Sequence, residues 1–351
     1  MYEFTKKSLD YTVISTIRYP MMMMVVLSHL NTSDAHVITH TGSGDLLYYF
    51  LMYFLSRNVT CCVNSMFFFI SGFLYFANVI GWFTLEDYKR KTVSRVKSLL
   101  VPYLIWNAIV LAIYFIVALC GSKDIKSLMD LNSFWQKGWS PESMGTPIDG
   151  PLWFIRDLFI QALLAPLTYF MVKHFHVFYI IFLGGLFYLG VGMTGLAPVA
   201  YLFFAIGAMF GIHKISFTSL SCKYSILFFI IAAMALLYRS YCSIGGHEDV
   251  SHGLLWNIFG IAALLCLVSY FKPSFPKICT DSTFFLYAIH QPLIIVPLYL
   301  FFKAEGWDRH IWGVNGMFII AFIASLSICA LMSYLAKKYF PKFYSILSGG
   351  R

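Results

Sequence analysis

Charge is what this chain has least of. Only 12% of its 351 residues are Asp, Glu, Lys or Arg, against roughly 25% in soluble domains, and that excludes an ordinary water-soluble globule. Acidic residues are the scarcer sign: 16 Asp and Glu stand against 25 Lys and Arg, a net charge of +9. The basic surplus sits in short loops between apolar blocks, so it argues for membrane topology and against nucleic acid as a partner. No CxxC pair and no Cys/His ligand spacing occurs among the eight cysteines. Neither a disulfide framework nor a zinc site is indicated; the thiols read as small buried hydrophobes, and no metal is expected. No stretch is polar enough for a separate soluble domain. No small-residue cleavage pattern follows the first apolar block, so the first helix is expected to stay. No tandem repeat or inverted pair of broken helices stands out, which counts against a secondary transporter.

What the chain does have is apolar mass: 59% hydrophobic and 19% aromatic residues, with a mean hydropathy of +0.73. Apolar blocks of bilayer length recur along it. The chain therefore reads as all-α, a polytopic transmembrane bundle of about ten spans forming one integral-membrane domain over 1–351. The first span runs from near Tyr11 to Leu30. An aromatic block, Asp45 to Ser56, reads as re-entrant or interfacial, and the second span covers about Val59 to Ile80. The third covers about Leu99 to Cys120, before a polar loop from Gly121 to Gly150. The fourth is about Pro151 to Val172, and the fifth and sixth fill Val177 to Ile212, divided near Met193 to Pro198. The last four are about Tyr224–Tyr241, Leu254–Phe271, Thr283–Phe302 and Ile311–Tyr339.

With the amino terminus cytoplasmic, that side collects Lys6, Lys7, the Lys89–Lys97 cluster, Lys173, Lys214, Lys223, Lys272, Lys277, Lys337, Lys338, Lys342 and Arg351. The other side collects Arg57, Lys123, Lys126, Lys137, Arg239, Lys303 and Arg309. More than twice as many cations lie on the first side, so both termini are expected in the cytoplasm.

Against that apolar background a few polar stretches stand out. In the first span Arg18 and His29 are eleven positions apart, about 16 Å along a helix and about three turns, hence on nearly one face. Inside a bilayer neither faces lipid without cost, so both are expected to look into the protein or a wet cavity. Asn64 to Phe73 is a phenylalanine-rich helix with a small notch, Ser71-Gly72, where a neighbouring helix or a substrate backbone can approach closely. Lys89, Arg90, Lys91, Arg95 and Lys97 read equally as a topology signal and as a phosphate grip. Trp153-Phe154 opens the fourth span, with Arg156 and Asp157 inside it. Adjacent helical residues point about 100° apart, so this pair is expected to seek other partners, in a site or in an interhelix salt bridge. The ninth span is entered by Asp281 or Ser282 as a cap, with Tyr287 as an interfacial anchor and His290 about two turns deep.

Together, in this order, these stretches resemble the acyltransferase-3 family of membrane acyltransferases. The resemblance rests on Arg18-x10-His29, on Phe67, Phe68 and Ser71-Gly72, on the basic stretch Lys89–Pro102, on Trp153-Phe154, and on Tyr287 to His290. It covers essentially the whole chain. It implies an integral-membrane O-acyltransferase of the plasma (inner) membrane that moves acetyl from cytoplasmic acetyl-CoA onto hydroxyls of surface or exported glycans. Acyl-CoA, a carbohydrate acceptor and the lipid bilayer are then the partners, with no permanently bound cofactor. The sequence departs from the family in placing lysines beside a single arginine at Lys89-Arg90-Lys91. It carries no hydrolase-like domain of the kind some members append, so a relay through one is expected to need another polypeptide.

Acyl transfer to an alcohol needs a base, and a histidine suits that task near neutral pH; His29 is the expected base. Arg18, which stays charged, is expected to order the site or hold a CoA phosphate, since about 16 Å is comparable with an extended pantetheine arm. Lys89, Arg90, Lys91 and Arg95 are expected to bind the donor. Ser71, Gly72, Trp153, Arg156, Asp157, Tyr287 and His290 complete the expected substrate contacts, with Arg156 and Asp157 toward the acceptor. A transporter or flippase using the same intramembrane charges as a relay is the alternative.

Overall fold

The computed structural model describes residues 2–30, 46–119, 131–138, 144–244 and 251–350. Among these residues there is no strand; two isolated bridges, Gly138 with Thr146 and Met193 with Leu196, are the sole β pairings. Everything else that is regular is helical, as the hydropathy pattern requires.

In chain order, α1 spans Tyr2–His29 and runs through Pro20; the hydrogen bond that proline cannot make does not end the helix. Helix α2 (Leu46–Phe76) winds as a π-helix over Phe50–Val59, turns at Thr60 and Cys61, and is α-helical over Cys62–Phe76. The aromatic block expected to be re-entrant or interfacial is thus the first part of a long helix. Asp45 and the polar stretch before it lie outside the described residues, as do Cys120 and the loop that follows it to Asp130. Helix α3 (Leu85–Leu119) starts at a capping box: Thr84 Oγ1 accepts from Asp87 N at 3.1 Å, and Thr84 N donates to Asp87 Oδ2 at 3.4 Å. This satisfies two groups that a helix start leaves orphaned. Its basic first part, Leu85–Arg95, buries no residue; its apolar part is Val101–Leu119.

Helix α4 (Trp153–Leu163) is joined through Leu164 to α5 (Ala165–Tyr188), which kinks at His176, φ +48°. Helices α6 (Pro198–Ile212) and α7 (Phe217–Lys223) follow. Then come α8 (Ser225–Ile244), α9 (Gly253–Phe271), α10 (Lys277–Asp281), α11 (Thr283–Ala304), α12 (Ile311–Tyr339) and α13 (Pro341–Leu347).

Among the described residues, seven helices are long and apolar enough to cross a membrane, or eight if the bent pair α6–α7 counts as one span. That is fewer than the ten expected, for two local reasons. Helix α1 mixes Thr12, Ser15, Thr16, Arg18 and His29 into its apolar run and is not among the seven. The fourth and fifth expected spans are not separated by a loop; the chain continues through the His176 kink.

Two compact units form. One comprises Met1–Met66 with Ser216–Tyr334, the other Phe67–Ile215 with Leu335–Arg351. In the first, α1 buries Val13, Ile14, Ile17, Met21 and Val25 at the three-and-four spacing of one helix face. Asp10 Oδ1 accepts from Thr218 N and Ser216 Oγ, both at 3.0 Å, which satisfies the start of α7. Tyr19 packs on Phe275 with ring centroids 5.1 Å apart. Ser56 Oγ donates to the Leu27 carbonyl at 2.8 Å, tying the π-helical part of α2 to the last turns of α1. In the second unit the phenylalanine-rich end of α2 lies directly against α6. A Cβ on Gly72 would overlap the Phe204 carbonyl, and one on Gly207 the Phe69 carbonyl, so the two backbones meet where neither helix carries a side chain.

Candidate active site

The first unit brings two histidines together. His29 ends α1 and is half-buried. His290, fully buried, lies on α11, and the two ring centroids are 5.0 Å apart. His290 begins a π-helical turn, His290–Ile295, that contains Pro292, a residue with no N–H to continue the regular ladder. His290 Nδ1 lies 2.7 Å from the Leu286 carbonyl and 2.9 Å from that of Tyr287. Carbonyls only accept, so Nδ1 carries the ring proton. Nε2 is then a bare lone pair, and it is buried without a hydrogen-bond partner. The arrangement is a partly accessible imidazole lying at a tilt of 42° beside a second one whose tautomer the backbone sets.

Tyr287 is buried and is not the interfacial anchor expected of it. The expected cap is also different: Ser282 precedes this part of α11 without a side-chain cap and donates to the Cys279 carbonyl at 2.8 Å, while Asp281 closes α10. Arg18 does not look into the interior. It is exposed, although its neighbours Ile17 and Tyr19 are buried, because a three-turn spacing aligns Cβ vectors but not a long, flexible side chain.

The second unit holds the remaining predicted residues in a different setting. Arg156 and Asp157, expected to ignore each other, form a buried ion pair: Nε donates to Oδ1 at 2.9 Å and Nη2 lies 2.8 Å from it. The arginine arm is long enough to fold back across the 100° between them. Arg156 also donates to the Trp135 carbonyl at 2.7 Å and the Gly145 carbonyl at 3.0 Å. Asp157 Oδ2 accepts from Ala197 N at 2.9 Å, at the start of α6. The pair thus pins a loop and caps a helix. Beside it is a cavity of about 200 Å³ lined by Tyr103, Phe134, Trp135, Ile155, Arg156 and Phe159, among others. Trp153 is buried, with its ring 6.2 Å from that of Phe68. Ser71 is half-buried, and Gly72 serves the approach of α6, not of a substrate.

The basic cluster is divided in its use. Lys91 Nζ donates to the Tyr75 carbonyl at 2.7 Å, and Lys214 Nζ to those of Ala77 and Val79 at 2.9 and 2.7 Å. Two ammonium groups therefore neutralise carbonyls at the C-terminal end of α2. The Arg95 guanidinium sits over the Tyr75 ring at 5.8 Å. Arg90 pairs with Asp87 at 2.6 Å while remaining largely exposed, a contact of small energetic weight. Lys89 is exposed. Of the predicted donor contacts, Lys89 and Arg90 remain open to a ligand.

One functional candidate was missed. Asp149, just before α4, is buried, and neither carboxylate oxygen has a hydrogen-bond partner; burial raises its carboxyl well above the usual range. Its backbone N–H donates to Asn107 Oδ1 at 3.0 Å. Its position before Gly150-Pro151 disguised it as a loop acid. Among the described residues no group of three or more His, Cys, Asp or Glu side chains could hold a metal.

A family model described as an acyltransferase domain matches residues 13–334, taking in both histidines, Arg18, the basic cluster and the Arg156–Asp157 pair. The chain belongs to the acyltransferase-3 family. Its similarity to the succinoglycan biosynthesis protein ExoH of Rhizobium meliloti (strain 1021) is 26% identity over 167 residues, 46% of this chain and 43% of that protein. The chain thus spans less than half the length of this curated relative. No solved structure matches. Membership of the acyltransferase-3 family was legible in the motifs; the division of those motifs between two units was not.

Proposed function

We propose that the chain is a membrane O-acyltransferase that moves an acyl group, acetyl in the simplest case, from acyl-CoA to a hydroxyl of a surface or exported glycan. The observation that carries this reading is the His29–His290 pair. The family supplies the reaction class, and the similarity to a succinoglycan biosynthesis protein favours a polysaccharide acceptor.

His29, the more accessible ring, takes the proton of the acceptor hydroxyl as its oxygen attacks the thioester carbonyl. The tetrahedral intermediate collapses with loss of CoA thiolate, and the imidazolium returns the proton to sulfur. The products are the ester and the free thiol. His290 acts through His29: with its proton held on Nδ1, the bare Nε2 favours a His29 ring whose N–H turns toward it, leaving the other His29 nitrogen as the acceptor. Arg18, exposed on the helix that ends in His29, supplies positive charge for a CoA phosphate. The protein sits in the plasma (inner) membrane with both termini cytoplasmic, so the donor is met from inside.

The test is transfer of labelled acetyl from acetyl-CoA to glycan in membranes matched for protein amount. His29→Ala should lower the rate by at least about 10² while donor binding persists. Equal rates from wild type and variant would remove His29 as the base. Glycan export without acetylation by the wild type would replace the enzyme with a transporter.

A further inference from the structure

Helix α8 carries a single charged residue, and it does not sit in a loop. Arg239 lies within the helix, five residues before its end at Ile244. It is half-buried, and its Nε is buried without a hydrogen-bond partner. Among the described residues no carboxylate forms an ion pair with it. An unpaired guanidinium inside an apolar helix is costly unless something else meets it.

A second orphan lies close by. Asn58, on the π-helical part of α2, is wholly buried; its Nδ2 donates to Ser240 Oγ at 3.3 Å, and its Oδ1 has no partner. Asn257 and Gly253 of α9 close the cluster: a Cβ on Gly253 would stand 3.1 Å from Arg239 Nη1 and 3.8 Å from Asn257 Nδ2. The cluster is adjacent to the histidine pair through the chain, since Ser56, two residues before Asn58, bonds to Leu27, two residues before His29.

We propose that Arg239 and Asn58 form a subsite for an anionic carbohydrate, binding the acceptor beside His29. The two orphans ask for opposite things: a guanidinium nitrogen needs an acceptor, best an anionic oxygen, whereas the amide oxygen needs a donor. A neutral sugar supplies no anionic acceptor, and inorganic phosphate, although it keeps a P–OH, supplies no hydroxyl set apart from its charge. A sugar bearing a carboxylate or phosphate next to free hydroxyls supplies both. This assignment rests on the acyltransferase reading for its biological sense but not for its measurement.

The full-length protein in phosphatidylcholine nanodiscs is titrated with D-glucuronate, D-glucose 1-phosphate, inorganic phosphate and D-glucose, with binding followed by ligand-observed NMR. At least one charged sugar should bind about tenfold or more tighter than glucose and than inorganic phosphate; which one separates a carboxylate from a phosphate ligand. Arg239→Gln should bring it to the level of glucose, and Asn58→Ala should weaken it. Because the wild-type comparison needs no variant, poor folding of either substitution leaves the test standing. Equal binding of glucose and both charged sugars overturns the proposal, as does inorganic phosphate binding as tightly as the charged sugars. So does a preference retained by folded Arg239→Gln. His29→Ala should keep the preference while losing transfer; a wild type that shows the preference but transfers no acyl group would overturn the acyltransferase reading and leave the subsite standing.

Discussion

His290 is where a residue's surroundings say more than its sequence position. Its fully buried ring has one nitrogen committed to backbone carbonyls and the other bare, which fits the positioning role proposed for it beside His29. His290→Phe, which preserves a ring of similar bulk, should lower kcat by on the order of 10² with little change in the KM for acetyl-CoA. In a His29→Ala background the same substitution should cost almost nothing further, because residues that act as a unit are non-additive. A merely structural His290 would lower activity by the same factor in both backgrounds. The basic residues separate along similar lines. Lys89→Gln with Arg90→Gln should raise the KM for acetyl-CoA several-fold, since both side chains are open to a phosphate. Lys91→Gln should instead lower thermal stability, since its ammonium is held by the Tyr75 carbonyl. Unchanged donor kinetics in the double variant would return Lys89 and Arg90 to topology alone. The sequence showed both histidines, because a polar ring in an apolar run is conspicuous. It hid the Arg156–Asp157 pairing, because helical geometry places Cβ atoms and not the end of a four-bond arm.

Elements were legible where apolar runs were bounded by polar loops, and α12 (Ile311–Tyr339) matches its expected span at both ends. They were less legible where the break is not a loop. Lys173 to Val177 contains neither proline nor glycine, yet α5 kinks there, with His176 at positive φ and its Nδ1 3.2 Å from Nε2 of His213. The Ser71-Gly72 notch was recognisable as a close-approach point, but only the fold shows that α6 fills it. Gly72→Ala therefore tests packing and not substrate recognition. Its methyl would strike the Phe204 carbonyl, a backbone atom that cannot rotate away, so the helices must separate at a cost of about 1–3 kcal/mol or more. Thermal unfolding in detergent should show a lowered midpoint, with the KM for acetyl-CoA unchanged in the surviving protein. A normal midpoint would mean that α2 and α6 do not meet at this glycine.

At the scale of the whole molecule, the number of crossings and the side of the carboxyl terminus are one question. The seven long apolar helices and the α6–α7 pair give up to eight spans among the described residues, and the count is nine if α1, with its Met21–Met24 run, also crosses. An odd number would leave the termini on opposite sides. Among the described residues a tenth crossing arises only if the chain turns back at His176, so that α4 with the start of α5 makes one span and the rest of α5 another. The remainder of α5, Val177–Tyr188, is short, about 18 Å against a hydrocarbon core of about 30 Å. It is nevertheless the crossing that the cation bias predicts. Lys337, Lys338, Lys342 and Arg351 follow or end the last span, and the Lys89–Lys97 cluster precedes the third; the positive-inside rule predicts both on the cytoplasmic side. A reporter active only in the cytoplasm should therefore function when fused after Arg351 and fail when fused after Leu119, the far end of α3. A fusion after Arg351 active only on the outer side would set the count at nine, make α5 a single kinked span, and overturn the cytoplasmic placement of the carboxyl terminus.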